Sequence, residues 1–74
     1  MDMLKIIGAN VRAFRQLRNL TQEELAKKAK LHKAYIGFVE RGERNISVDT
    51  IVVIADALGV APWVLLLPDV RKWL

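Results

Sequence analysis

The sequence contains no cysteine and a single histidine among its 74 residues. Without cysteine the chain forms no disulfide and no thiolate metal site, and one histidine cannot build a multi-histidine metal centre. A chain this short buries only about 60% of the surface that its unfolded form exposes, so its core is marginal. Because disulfides and metal are excluded, a partner subunit is the remaining source of burial, and we expect an oligomer.

Patterns for catalysis, phosphate loops and membrane insertion are also missing. With one serine, one histidine and no cysteine, no convincing nucleophilic triad can be assembled, and the four glycines are too scattered for a phosphate-binding loop. The Val60–Pro68 stretch is uncharged and apolar but far below the ~20 residues that a membrane span needs. No export signal opens the sequence. We therefore expect a cytoplasmic protein that is no enzyme, with no cofactor, no metal and no membrane contact.

Positive charge is concentrated in one part of the chain. The whole sequence has 12 basic and 8 acidic residues, a net charge of +4, and residues 12–44 hold nine of the basic and four of the acidic side chains. Residues 45–74 are apolar and nearly neutral. This asymmetry favours a polyanion bound on one side, although a solvated basic face would explain the charge alone equally well.

Apolar spacing predicts an all-α fold over residues 1–74, a single domain of five short helices. Apolar residues at three- and four-residue steps indicate a first helix over residues 3–18. The Thr21–Glu24 stretch forms a capping box that starts a second helix at Gln22. A third helix is expected over residues 33–41, because Gly42 suits a helix stop.

The C-terminal part is predicted to contain two further helices. The run Ile51–Ile54 would suit a strand as well, but Ser47 can cap a helix start and Gly59 can end it, so we interpret this segment as helix. Pro62 suits the first position of a fifth helix, which Pro68 ends.

Residues 22–41 have the pattern of a helix-turn-helix. Small Ala26 allows two short helices to approach closely, Leu31 fills the turn, and Ile36 and Val39 seat the second helix on the core. In this motif the outer face of the second helix enters the DNA major groove.

These residues resemble the lambda-repressor-like (Xre-type) helix-turn-helix family. The resemblance rests on Thr21–Ala26, Tyr35–Ile36, Val39–Gly42 and Leu58–Val60. The run from residue 35 to residue 45 is most similar to the controller proteins of restriction–modification systems, which are small dimeric regulators. One departure is Lys30, which stands where the family usually has a glycine in a left-handed turn position.

The resemblance implies a DNA-binding surface on the second helix of the motif and around it. Lys33 could donate to a guanine edge, with a plain phosphate contact as the alternative, and Ala34 could touch a thymine methyl group or reflect only helix propensity. Positions 34 and 37 often carry Ser or Thr in the family, so the sequence read here should differ in detail. The residues expected to lie at DNA are Gln22, Lys33, Ala34, Tyr35, Gly37, Arg41, Arg44 and Asn45.

Some of these residues have competing interpretations. Gln22 opens a helix, where a phosphate is favoured, but it could be an ordinary surface residue. Arg44 and Asn45 could be solvated loop residues instead of DNA contacts. Phe38 is expected to pack partly against the fourth helix. Family members also use a partly buried ion pair at positions 15 and 40, so Arg15 and Glu40 are expected to fix the recognition helix.

The C-terminal segment, about residues 60–74, is predicted to form a dimer interface. A helix packed on one side cannot bury five consecutive apolar residues, and the surplus would leave an exposed patch on a monomer. The residues assigned to the interface are Trp63, Val64, Leu66, Leu67 and Trp73. A two-fold homodimer would bind pseudo-palindromic double-stranded DNA, with RNA polymerase as a candidate further partner. The alternatives are a small phage-type repressor or an antitoxin-like protein-binding module.

Overall fold

Four α-helices and one 3-10 helix form the part of the chain described by this computed structural model, residues 2–68 and 70. The α-helices are α1 (Met3–Leu17), α2 (Gln22–Ala29), α3 (Lys33–Glu40) and α4 (Val48–Leu58), and the 3-10 helix spans Pro62–Leu66. The all-α prediction is confirmed, and these ranges contain no strand. The segment that could have been a strand, residues 51–54, lies within α4.

Hydrogen bonds from capping side chains define the start of three helices. The Thr21 hydroxyl accepts from the Glu24 backbone N–H at 3.0 Å, and Glu24 Oε1 accepts from the Thr21 N–H at 2.9 Å, which confirms the capping box. Donation by the Thr21 N–H to the charged carboxylate lowers the pKa of Glu24. Ser47 caps α4 as predicted. Asp2, which the sequence did not single out, caps α1 by accepting from the Lys5 N–H.

The turn between α2 and α3 is tight and strained. Lys30 has a φ of 58°, the left-handed conformation that the family usually assigns to glycine at this position. A non-glycine residue pays about 1–2 kcal/mol for this conformation. The Leu31 N–H donates to the Ala26 carbonyl at 2.8 Å, and the Leu31 side chain packs partly buried on the core. The strain at Lys30 therefore lets Leu31 fill the turn.

The core is one cluster of buried side chains to which all four α-helices and the 3-10 helix contribute. Helix α1 packs against α3, α4 and the 3-10 helix, while α2 packs against α3 and α4. A Cβ on Gly8 would lie 2.2 Å from the Val39 carbonyl oxygen, so the backbones of α1 and α3 are in direct contact there. Only glycine permits this approach, which fixes the C-terminal end of α3 against α1.

The fifth helix is not an α-helix, which corrects the sequence prediction. Leu67 is extended, with a ψ of 130°, because the residue before a proline is disfavoured from the helical region. The segment between Pro62 and Pro68 is therefore too short for a stable α-helix. Asn10, which is 3% exposed, donates its side-chain amide to the Leu65 and Leu67 carbonyls at 2.8 Å each and holds the segment on α1.

Candidate nucleic-acid interface

Helix α3 is anchored through one face and open on the other. Ile36 is fully buried and Val39 is 2% exposed, as the helix-turn-helix pattern predicts. Lys33 and Ala34, in the first turn, are exposed. Tyr35 is half-buried and packs partly against the core. The first turn of α3 therefore presents a lysine, a methyl group and part of a phenol ring to solvent.

A network of buried charge joins α1 to the end of α3. Arg15 Nε donates to Glu40 Oε2 at 2.6 Å, and Arg15 Nη2 donates to Glu40 Oε1 at 3.0 Å, so the contact is bidentate. The two side chains are 13% and 4% exposed. The hydrogen bond to Glu40 favours the charged guanidinium and raises the pKa of Arg15. The ion pair expected from the resemblance is thus present between these helices.

Gln22 is connected to the same network. Its Nε2 donates to Glu40 Oε1 at 3.1 Å, which links the start of α2 to the end of α3. The side chain is half-buried. No local pattern predicts this bond, because it joins residues 18 positions apart. A phosphate contact by Gln22 stays a prediction, and the hydrogen bond to Glu40 holds the side chain in one position.

Gly37 lies beneath two of the other predicted DNA contacts. It is buried, and a Cβ at this position would lie 3.1 Å from Arg41 Nη1 and 3.8 Å from Gln22 Oε1. A Ser or Thr here would therefore crowd the Arg41 guanidinium. A direct DNA contact by Gly37 stays a prediction that requires these side chains to move.

The segment after α3 carries two arginines that share one aromatic ring. The Cζ of Arg44 lies 4.5 Å and the Cζ of Arg41 lies 5.1 Å from the centre of the Phe38 ring. Arg41 Nε also donates to Glu43 Oε1 at 2.8 Å. Asn45 is exposed beside them. These two cation–π contacts bring the predicted loop contacts together, and packing of Phe38 on α4 stays a prediction.

The predicted dimer segment combines an anchored residue with exposed ones. Leu65 is fully buried, whereas Trp63 is 63% and Leu66 is 42% exposed. Val64 and Leu67 are half-buried. Trp73 lies outside the described residues. An apolar groove of about 500 Å³ runs along this segment. It is lined by Phe14, Val60, Ala61, Trp63, Val64, Leu67 and Val70.

Among the described residues, no group of three or more His, Asp or Glu side chains lies close enough to hold a metal ion. No helix within residues 2–68 and 70 has the length and apolarity to cross a membrane.

Comparison with known families settles the class of the protein. The helix-turn-helix family profile matches residues 11–62, which include α2, the turn and α3. The chain belongs to the helix-turn-helix family. Within this helix-turn-helix protein, the motif predicted at residues 22–41 falls inside the matched range.

Relatives of the helix-turn-helix chain include two control proteins. The chain is 46% identical to control protein C.SmaI of Serratia marcescens over 61 residues. The aligned residues make up 82% of this chain and 73% of C.SmaI. It is 47% identical over 58 residues to control protein C.BamHI of Bacillus amyloliquefaciens, covering 77% of this chain and 72% of C.BamHI.

Solved structures show the same fold. The hypothetical transcription factor NHTF from Neisseria superimposes with a TM-score of 0.90 at 39% identity, over 97% of this chain and 83% of NHTF. The restriction–modification controller protein C.AhdI from Aeromonas hydrophila gives 0.81 at 40% identity, over 84% and 94% of the two chains. The controller protein C.Esp1396I, solved as a tetramer with its 35 base-pair operator, gives 0.81 at 29% identity, over 88% and 86%.

Proposed function

We propose that the protein is a sequence-specific DNA-binding transcriptional regulator, the controller protein of a restriction–modification system. The observation that carries this proposal is the exposed first turn of α3 on a helix held at both ends. Ile36 and Val39 seat the helix, and the bidentate Arg15–Glu40 contact ties its end to α1. Identity of 46–47% to two control proteins supports the choice of regulator. The proposal includes a cytoplasmic location and no enzymatic step.

DNA recognition would divide the exposed residues into base and phosphate contacts. Lys33 would donate to guanine O6 or N7, and Ala34 would meet a thymine methyl group. Gln22, held by Glu40, would donate to a phosphate beside the start of α2. Arg44 would reach a base or a phosphate from the loop after α3. Phosphate contacts would set the register on the duplex, and base contacts would set the sequence.

The protein would act as a homodimer joined through the C-terminal segment. The apolar groove beside exposed Trp63 and Leu66 has the composition of an interface core rather than of a solvated surface. A two-fold axis there would leave both α3 helices free, because α3 packs on α1 and α2 while the 3-10 helix packs on α1 and α4. The protomer measures 27 × 24 × 18 Å, so a pair can span the ~34 Å between successive major grooves.

The operator should therefore be a pseudo-palindrome with half-sites about one helical turn apart. Selection of bound duplexes from a random pool with the purified protein tests this directly. We expect one enriched motif with two-fold symmetry, and binding that weakens steeply with salt because phosphate contacts release counterions. A pool without an enriched motif would refute the regulator.

Equilibrium sedimentation tests the dimer independently of DNA. We expect a dimer at tens of micromolar protein, and a shift toward monomer on Trp63→Asp, because a charge would be placed on a desolvated surface. Replacement of exposed Val48, which is 76% exposed on α4, with Asp is the matched control and should leave the mass unchanged. A monomeric wild-type protein would contradict the dimer.

RNA polymerase is proposed as a further partner at the promoter.

A further inference from the structure

One ring in the loop region contacts two guanidinium groups. Phe38 lies in the last part of α3, and the Arg44 and Arg41 guanidinium carbons lie 4.5 Å and 5.1 Å from its ring centre. Both distances fall inside the ~6 Å limit within which a cation is attracted to an aromatic face. The ring is half-buried. Phe38 therefore contacts two charged groups that lie outside the hydrophobic core.

The two arginines differ in what else they bind. Arg41 donates Nε to Glu43 at 2.8 Å, and both of these side chains are about half exposed. Within residues 2–68 and 70, Arg44 forms no ion pair with a carboxylate, and its guanidinium lies over the Phe38 ring. A ring attracts a guanidinium through its π face and accepts no lone-pair hydrogen bond. The N–H donors of Arg44 thus stay available for another acceptor.

We propose that Phe38 is a positioning residue for DNA recognition, whose ring holds the Arg44 guanidinium in place before the DNA arrives. This inference rests on the proposed function. A free arginine side chain loses many rotamers when it binds, and a side chain that is already ordered loses fewer. Arg44 is accordingly the arginine whose N–H donors are available to DNA. The Arg41 guanidinium contacts the same ring, but its charge is partly neutralised by Glu43.

Nuclear magnetic resonance of the free protein tests the contact without DNA. The ring current of Phe38 should move the side-chain proton signals of Arg44 upfield. The shift should survive Phe38→Tyr, which keeps the ring, and disappear in Phe38→Leu, which keeps an apolar side chain without one. Identical Arg44 shifts in the wild type and in Phe38→Leu would overturn the contact.

Binding to the selected duplex tests the role. Phe38→Leu should weaken binding about fivefold, the size of an exposed cation–π contact, and Phe38→Tyr should stay within about twofold of the wild type. In an Arg44→Ala background Phe38→Leu should cost nothing further, whereas in a Lys33→Ala background it should cost the same as in the wild type. A structural role would instead cost the same in both backgrounds.

The outcomes separate this inference from the proposed function. The role of Phe38 would be overturned if Phe38→Leu weakened DNA binding equally in the Arg44→Ala and Lys33→Ala backgrounds. It would also be overturned if Phe38→Leu and Phe38→Tyr weakened DNA binding equally. In both cases the proposed regulator function would stand. A wild-type protein that selects no duplex would overturn the regulator and this role together, and the proton shifts would still decide whether the ring orders Arg44. Should Phe38→Leu fail to fold, Phe38→Met replaces it in every comparison.

Discussion

Replacement of Glu40 by alanine removes the acceptor at the centre of the charge network. The Arg15 side chain, which is 13% exposed in the wild type, would keep only the Leu20 carbonyl, 2.9 Å from Nη1, as its protein acceptor. Loss of one partner from a buried pair costs about 3–5 kcal/mol, because the other charge stays buried and uncompensated. Since Arg15 keeps the Leu20 bond and some solvent, we expect the lower end, about 3 kcal/mol.

The chain offers a matched control in the Arg41–Glu43 pair. It also joins an arginine Nε to a glutamate, at 2.8 Å, but its side chains are 53% and 52% exposed. Exposed pairs contribute about 0–1 kcal/mol, because water solvates each partner after the other is removed. Glu43→Ala should therefore cost much less than Glu40→Ala, although the same carboxylate is lost.

Urea unfolding followed by helical circular dichroism measures both variants. Protein concentration must be held equal, since association would contribute to apparent stability. With a denaturant slope of about 1.5 kcal/mol/M, Glu40→Ala should lower the midpoint by about 2 M and Glu43→Ala by less than about 0.7 M. Equal midpoint shifts in the two variants would refute the reasoning from burial.

Three further predictions follow from the backbone and the caps. Gly8→Ala should cost about 3 kcal/mol or more in thermal or urea unfolding, because its Cβ would lie 2.2 Å from the Val39 carbonyl oxygen, a backbone atom that cannot easily move aside. Gly59→Ala would find nothing within 4 Å of its Cβ but a φ of 73°, so it should cost about 1–2 kcal/mol. A larger loss for Gly59→Ala than for Gly8→Ala would contradict the close approach. Lys30→Gly should stabilise the protein by up to about 1 kcal/mol by relieving the left-handed turn, and a loss would show that the turn is unstrained. Because the folded protein lowers the pKa of Glu24, the charged carboxylate stabilises the fold at pH values above its ordinary pKa. This stabilisation is lost as the pH falls through the pKa of Glu24 in the folded protein. The stability gap between the wild type and Glu24→Gln should therefore be present at pH 7 and close as the pH falls below the ordinary glutamate pKa of 4.5, and a gap independent of pH would exclude the carboxylate charge as its cause.

Local signals were sufficient to predict most of the fold. Capping at Thr21 and Ser47 and the left-handed stop at Gly59 depend on residues a few positions apart, so the sequence records them directly. The last helix differs from the predicted one because Pro68 disfavours the helical conformation at Leu67, which leaves room only for a short 3-10 helix after Pro62. Asn10, which holds that segment through carbonyls 55 and 57 residues away, carried no local signal.

The candidate site was predictable in its elements but not in its side-chain network. Family resemblance indicated the pair of Arg15 and Glu40, and periodicity indicated which face of α3 is open. The bond from Gln22 to Glu40 and the two guanidinium groups over Phe38 depend on where α2, α3 and the following loop meet in space. Such contacts follow from tertiary packing, which no local pattern in the sequence reveals.

Binding of two charge variants to the selected operator tests the central claim most directly. Ala34→Glu places a carboxylate on the exposed first turn of α3, and Ala9→Glu places the same group on an exposed position of α1. We predict that Ala34→Glu weakens operator binding by more than about 100-fold, because the charge would face the DNA, while Ala9→Glu changes it by less than about threefold. Equal affinities of the two folded variants would contradict the assignment of α3 as the helix that reads DNA.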